Sequence, residues 1–381
     1  MTITTDTSRS PAYDLKQYQS LDDEVLTERI QKVRGEMGSR LLILGHHYQQ
    51  DAVIELSDLR GDSLKLSATA AEREQCEAIV FCGVHFMAET ADILANRPER
   101  LTRRGGRRVP VVLPDLDAGC SLADMAEIEQ VEECWRQLAE VIEVDDVMPI
   151  TYVNSAASLK AFCGRHGGIV CTSANAANVL DWAFERRGRV LFFPDQHLGR
   201  NTARAMGIPL AQMPVWDPRQ ERLGGNDEEA IRRGRVMLWQ GFCSVHQVFL
   251  PEHVEQFRRE HPGIKIMVHP ECMMEVADQA DEIGSTGKIL KVVEAAPPGT
   301  KWAIGTEPHM VNRLKHDHPE QEVHLLSPTE CMCVTMYRID LVHLCWSLEN
   351  LAAGTPVNVI EVDAETAGGA LMALQRMLQV K

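Results

Sequence analysis

Ten short apolar segments constrain this chain more than any other feature: "RLLILGHHYQ", "EAIVFCGVHF", "RVPVVLPD", "DVMPITYVNS", "GGIVCTSANA", "GRVLFFPDQH", "RVMLWQGFCS", "IKIMVHPEC", "KWAIGTEPH" and "EVHLLSPTEC". Each is a brief apolar run that ends in polar or small residues. Most are separated by stretches of helical periodicity such as "SLKLSATAAEREQC" and "PEHVEQFRREH". Strands that are apolar on both faces and alternate with helices make parallel sheets covered by helices, so the fold class is α/β. In such sheets ligands sit beyond the carboxyl ends of the strands.

Those ends repeat a plan three times. One strand type closes in a polar cluster: His46 and Tyr48, then Tyr152 and Asn154, then His269 and Glu271. A later strand of each block runs through a turn into cysteine: Cys120 in "VVLPDLDAGCSLAD", Cys243 in "VMLWQGFC", and Cys331 or Cys333 in "VHLLSPTECMC". The spacing suits one small α/β unit per cysteine and suggests three Rossmann-like domains meeting at a shared centre. The expected boundaries are 25–118, 119–241 and 242–333, with helices in 334–381 packing on the first domain and 1–24 as a mobile segment.

Eleven cysteines, without the dense spacing of a secreted scaffold, read as thiols of a reducing compartment rather than disulfides. No C-x-x-C pair or H-E-x-x-H is present, so neither a zinc ribbon nor a zincin is indicated. A thiol at a strand-to-helix turn lies near backbone N–H groups that favour thiolate. Three such thiols would leave a metal incompletely ligated, which suggests a [4Fe–4S] cluster with one iron open to substrate; three core cysteines are the plainer alternative. The net charge of −16 argues against a nucleic-acid partner. The basic run "RPERLTRRGGRR" reads as a solvated connection. No apolar run reaches membrane-spanning length and the polar start has no apolar h-region, so the expected location is cytoplasmic.

The ordered series "GHHYQ", "GDSLKLS", "FCGVHFMAET", "TYVNSAASLKA", "CTSAN", "FFPDQHLGR", "WQGFCSVH", "VHPECMMEV", "GSTGKI" and "CVTMYRIDLVHLCWSLENL" resembles the motifs of the quinolinate synthase family, the A protein of de novo NAD biosynthesis, from about Leu41 to Val357. The resemblance implies three related α/β domains around a pseudo-threefold axis. At their centre would lie one [4Fe–4S] cluster per chain, held by one cysteine from each domain. It also implies condensation of iminoaspartate, made by L-aspartate oxidase, with dihydroxyacetone phosphate to give quinolinate, phosphate and water. The matching ligands are Cys120, Cys243 and Cys333, the last chosen because "CVTM" aligns with the family's ligand cysteine; where some members carry C-x-x-C-x-x-C, this chain has C-x-C.

That chemistry assigns the remaining motif residues. Two carboxylates and a phosphate call for donors, for which Ser63, Ser173, Ser285 and Thr286 have the right character, with Asn154 and Ser155 fixing carboxylates. "GSTGK" is not a Walker A loop, because Glu282 stands where that pattern needs glycine. Bond formation, phosphate loss, imine closure and dehydration all move protons, so His46, Tyr48, Tyr152, His269 and Glu271 are the catalytic candidates. Glu89, Asp195 and His197 would orient them. Two other readings use the same residues: a divalent-metal hydrolase or aldolase built on His46, His47, Asp51, His269 and Glu271, and a non-catalytic iron–sulfur redox sensor. Direct hand-over of the unstable iminoaspartate would suit transient contact with the oxidase. The apolar face of "AETAGGALMALQRMLQV" suits either a core or a homodimer interface.

Overall fold

The computed structural model describes residues 11–380; residues 1–10 and 381 lie outside that range. Its strands are β1 (Leu41–His46), β2 (Leu59–Gly61), β3 (Ala78–Cys82), β4 (Val111–Val112), β5 (Val147–Tyr152), β6 (Ile169–Cys171), β7 (Arg189–Phe193), β8 (Val215–Trp216), β9 (Val236–Trp239), β10 (Lys265–Val268), β11 (Glu282–Ile283), β12 (Lys301–Gly305), β13 (Glu322–Leu325) and β14 (Val359–Ile360). They form three small sheets ordered β14-β4-β3-β1-β2, β6-β5-β7-β9-β8 and β11-β10-β12-β13. All pairings are parallel except β14 on β4. Every residue of β1, β3 and β5 is buried, as expected for strands covered on both faces.

The repeat inferred from the strand ends is visible in topology. In each sheet the block's first strand lies between its second and third, and a fourth follows the third: β2-β1-β3-β4, β6-β5-β7-β9 and β11-β10-β12-β13. The second sheet adds β8 outside β9, and the first adds the antiparallel β14 outside β4.

The chain divides into two compact units. One runs to Cys120 and resumes at Cys333–Ala364, carrying the first sheet; the other holds Ser121–Met332 and Glu365–Lys381, with the second and third sheets together. Strands β1–β13 fall inside the three expected ranges, but β14, from the C-terminal segment, joins the first sheet, and the last helix does not pack on the first unit. Helix Ala364–Gln379 packs on helix Ala157–Arg165 of the second sheet's layer. There the backbones nearly touch: a Cβ on Gly164 would stand 1.8 Å from the Gly369 carbonyl oxygen. Arg376 donates to the Gly168 carbonyl at 2.5 Å. Ala370, Ala373, Leu374 and Met377 are fully buried, so the helix's apolar face is part of the unit's core.

Two further expectations change. Part of the segment expected to be mobile lies outside the described residues, but Tyr13 to Tyr18 are held in the first unit. The Trp346 indole donates to the Tyr13 carbonyl at 2.8 Å, and the fully buried Tyr18 donates to Glu349, which also pairs with Arg29. The basic run is not merely solvated either. Arg97 donates to the Ala71 carbonyl at 2.7 Å, Arg100 to the Ala70 and Arg73 carbonyls, and Arg104 to the Cys76 carbonyl at 2.9 Å. Arg97 and Arg100 thus cover carbonyls at the C-terminal end of helix Ser63–Glu72, Arg104 ties down the turn that follows it, and Arg100 is 1% exposed.

Candidate functional site

The second unit gathers its titratable side chains at the carboxyl ends of parallel strands. Tyr152 closes β5, Asp195 follows β7, Cys243 and His246 follow β9, His269 and Glu271 follow β10, and Thr306 follows β12. Glu271 is the hub. Its Oε1 accepts the Tyr152 hydroxyl at 2.6 Å, and its Oε2 lies 3.2 Å from His246 Nδ1, an approach too bent to make a hydrogen bond. The His246 ring stacks on that of His269, centroids 4.5 Å apart, and its Nε2 lies 3.4 Å from the Thr306 hydroxyl. His246, His269 and Glu271 are at most 2% exposed.

Backbone geometry sets these groups. The Glu271 N–H points at His269 Nδ1 (3.4 Å), which leaves the ring proton on Nε2. The first unit repeats this turn at the end of β1, where the Tyr48 N–H donates to His46 Nδ1 at 3.2 Å and the two rings meet edge-on. Asn201, on helix Gln196–Ala205, donates to the Pro270 and Cys272 carbonyls at 2.9 and 2.8 Å and fixes the loop that carries Glu271.

Burial and charge push the two carboxyls apart. Burial raises Glu271, but His269, His246 and the Tyr152 hydroxyl outweigh it and hold the carboxyl at about 2. Burial, aided by the Glu271 charge, raises Asp195 well above the usual carboxylate range. Its Oδ1 caps helix Gln196–Ala205 through the Leu198 N–H, while Oδ2 has no partner. Burial also lowers His269 to about 3 and His197 to about 4, each aided by a neighbouring cation or imidazole. The array's charge at neutral pH therefore rests on Glu271, while burial works against the charged forms of Asp195, His269 and His197.

The other expected residues divide by what their polar atoms do. Asn154 Oδ1 is buried without a hydrogen-bond partner. Ser155 is fully buried, donates to the Tyr152 carbonyl at 2.7 Å and accepts from Thr151 at 2.9 Å, so it braces the end of β5. Ser285 N-caps helix Thr286–Glu294, and Thr286 begins that helix. Ser63 is the first residue of helix Ser63–Glu72, whose cap is Asp62. Ser173 lies in the turn after β6, partly exposed. Glu89 lies 3.8 Å from His85 in helix His85–Ala95.

The cysteines separate by burial. Cys76, Cys82, Cys134, Cys163, Cys171, Cys272 and Cys345 are buried, whereas Cys120, Cys243, Cys331 and Cys333 are partly exposed. Burial raises all seven core thiols, Cys76 to about 11 and both Cys82 and Cys345 to about 12, which disfavours the thiolate that binds metal. The four accessible thiols are the ones singled out by their strand-end positions. Cys120 and Cys333 belong to the first unit and Cys243 to the second. Cys120 lies in a loop, and the helix expected directly after it starts only at Ile128, beyond a 3₁₀ turn at Ala123–Met125. Cys333 Sγ lies 3.5 Å from the Thr335 hydroxyl. Among the described residues, two groups could hold a metal ion, their ligand atoms within 4.8 Å of one another: Cys243–His246–Glu271 and His261–Glu322–His324.

His246 and Asn201 were not singled out from the sequence. For His246 a signal exists: "CSVH" places a histidine three residues after the strand-end cysteine, one helical turn on, and helix Ser244–Gln247 forms there.

Comparison with known proteins gives this array its context. The NadA family model, described as Quinolinate synthetase A protein, matches residues 28–379. A quinolinate synthase of Rhodopirellula baltica is 66% identical over 97% of this chain and 94% of its own length. Those of Corynebacterium glutamicum and Halalkalibacterium halodurans are each 50% identical, over 96% and 95% of this chain and 90% and 95% of their own lengths. With strand-end motifs, accessible thiols and a near-full-length match in agreement, the chain belongs to the quinolinate synthase family.

Proposed function

We propose that the chain condenses iminoaspartate with dihydroxyacetone phosphate to form quinolinate, phosphate and water. The buried Tyr152–Glu271–His246–His269 array carries this reading, because it places a carboxylate beside two stacked imidazoles and a phenol at the strand ends where an α/β sheet binds ligand. In this reading Cys120, Cys243 and Cys333 hold a [4Fe–4S] cluster. The accessibility of these thiols and the soft donor set fit such a group. When bound, it would supply a Lewis-acidic iron that polarises a substrate oxygen or nitrogen.

The chain's own groups then handle protons and orientation. The array accepts a proton at an imidazole nitrogen or a Glu271 oxygen and returns it as water leaves. The Tyr152 hydroxyl holds Oε1 in place throughout. Burial excludes solvent protons from this exchange. Asn154 Oδ1 accepts from the substrate, and Ser173, Ser285, Thr286 and Ser63 lie at turns or helix starts where N–H groups and hydroxyls suit carboxylate or phosphate. In this reading His46 and Tyr48, paired at the end of β1, also serve proton transfer.

The test is anaerobic purification with iron and sulfide analysis, followed by assay of quinolinate from dihydroxyacetone phosphate and iminoaspartate generated by L-aspartate oxidase. Quinolinate formation that depends on bound iron and on both substrates supports the reading. Iron-loaded protein that forms none would overturn it. Enhanced transfer of iminoaspartate when the oxidase is present, against a physically separated oxidase, would further support transient contact between the two proteins.

A further inference from the structure

A second convergence of ligand atoms lies at the edge of the third sheet. His261 caps the end of helix Pro251–Glu260, and Glu322 and His324 lie two residues apart on the edge strand β13, so their side chains share one face. Both rings aim at the same atom: His261 Nδ1 and His324 Nε2 each lie 2.8 Å from Glu322 Oε1. The rings are 4.7 Å apart, and Phe257 packs against both, with centroids at 5.6 Å in each case. Lys301, opposite Glu322 in register on β12, places its ammonium 3.2 Å from the other carboxylate oxygen. The side chains of His261, Glu322 and His324 are 27, 38 and 32% exposed, so the cluster is held in position yet open to solvent.

We propose that His261, Glu322 and His324 form a binding site for a divalent transition metal of the zinc class, distinct from the strand-end array. Two imidazole nitrogens and one carboxylate oxygen suit Zn²⁺, Ni²⁺ or Cu²⁺, whereas Mg²⁺ and Ca²⁺ prefer all-oxygen shells. The exposed side leaves the remaining coordination positions to water. On binding, each ring turns the lone pair of the nitrogen now facing Glu322 to the ion, any proton on that nitrogen passing to the other ring nitrogen or to water, so no redox change is involved. The ion would replace two hydrogen bonds with a clamp between the end of helix Pro251–Glu260 and β13. Lys301 opposes this clamp, because it sets an ammonium against the carboxylate that the cation must share.

Zn²⁺ titration of the anaerobically purified full chain, in competition with a chromogenic chelator, tests the proposal by comparing three proteins. The His261→Gln/His324→Gln variant should take up one equivalent less than wild type, with thiol-bound zinc cancelling between them. Lys301→Gln should instead tighten that equivalent several-fold, a change that a purely structural ion-pair network would not produce. Catalytic turnover should be unchanged in both variants. Equal uptake by wild type and the histidine variant would overturn the site, as would unchanged or weaker binding in Lys301→Gln. So would displacement of the extra equivalent by Mg²⁺ or Ca²⁺ at equal concentration.

Discussion

Replacing Glu271 with glutamine removes the array's one negative charge while preserving its shape. The amide oxygen can still accept the Tyr152 hydroxyl at the 2.6 Å position, and the NH₂ group occupies the place of Oε2 beside His246. Glu271 does not cap the helix that follows: that helix is Met274–Ala277 and its N-cap is Met273. No cap energy is therefore at stake, and the melting temperature should stay within about 4 °C of wild type, the equivalent of about 1–2 kcal/mol. Turnover should fall at least about a hundredfold, the lower end of what a positioned acid–base group supplies, or about 2.7 kcal/mol or more in barrier height.

The charge assignment adds a sharper check. Glu271 is held at about 2 and His269 at about 3, so neither changes protonation across the working range. The ratio of wild-type to Glu271→Gln kcat/KM should stay constant from about pH 6 to about pH 8.5. Melting temperature, iron content and quinolinate formation, measured on the same preparations, separate the possibilities. A folded, iron-loaded variant with wild-type turnover would remove Glu271 from the mechanism. A ratio that collapses as pH falls through about 6.5 would show that the carboxyl titrates far above its assigned range and refute the electrostatic account.

Three other perturbations test separate parts of the structure. Cys333→Ser should lose bound iron, while Cys331→Ser retains it, because a serine oxygen is a poor substitute for a soft thiolate; the reverse pattern in iron analysis would reassign the ligand. Asp195 is raised in the folded chain, so its stabilising contribution is complete below the unfolded value of 3.8 and is lost as pH rises toward the folded one. Asp195→Asn, which cannot ionise and keeps the Leu198 cap, should therefore gain stability relative to wild type as pH rises above 3.8; a relative loss over that rise would refute the raised assignment. Gly164→Ala should lower stability by about 1–3 kcal/mol and speed proteolysis of the C-terminal helix, since the added Cβ would collide with the Gly369 carbonyl; an unchanged thermal melt would mean the seam relaxes without cost.

The sheets were legible because burial on both faces leaves a continuous apolar run that local composition cannot disguise: β1, β3 and β5 read directly as "LLILGH", "AIVFC" and "VMPITY". The docking of the last helix was not. Its amphipathic face announced that something must cover it, but the partner depends on two glycines more than two hundred positions apart meeting at backbone distance. The basic run misled for a related reason. Arginines at 97, 100 and 104 look solvated until the carbonyls at the end of helix Ser63–Glu72 and in the turn after it come within reach, and carbonyl positions have no sequence signature.

The site was legible in its acids, imidazoles and thiols, but not in how their protons are distributed. His269 and Glu271 were readable as a strand-end pair, and Cys120, Cys243, Cys331 and Cys333 as the thiols that a strand end exposes. Nothing in "VHPE" or "FFPDQH" shows that the Glu271 carboxyl is pulled down while that of Asp195 is pushed up. That division arises because Glu271 meets a phenol and two imidazoles, whereas one Asp195 oxygen caps a helix and the other meets no donor. Ser155 shows the same limit in reverse: its type suits a ligand contact, but the Tyr152 carbonyl three residues back already holds its hydroxyl. Sequence shows which groups reach the strand ends. Whether each then serves substrate, backbone or a neighbour is decided by which donors come within about 3 Å, and that distance is set by how the second and third sheets of one unit bring Tyr152, His246 and Glu271 together.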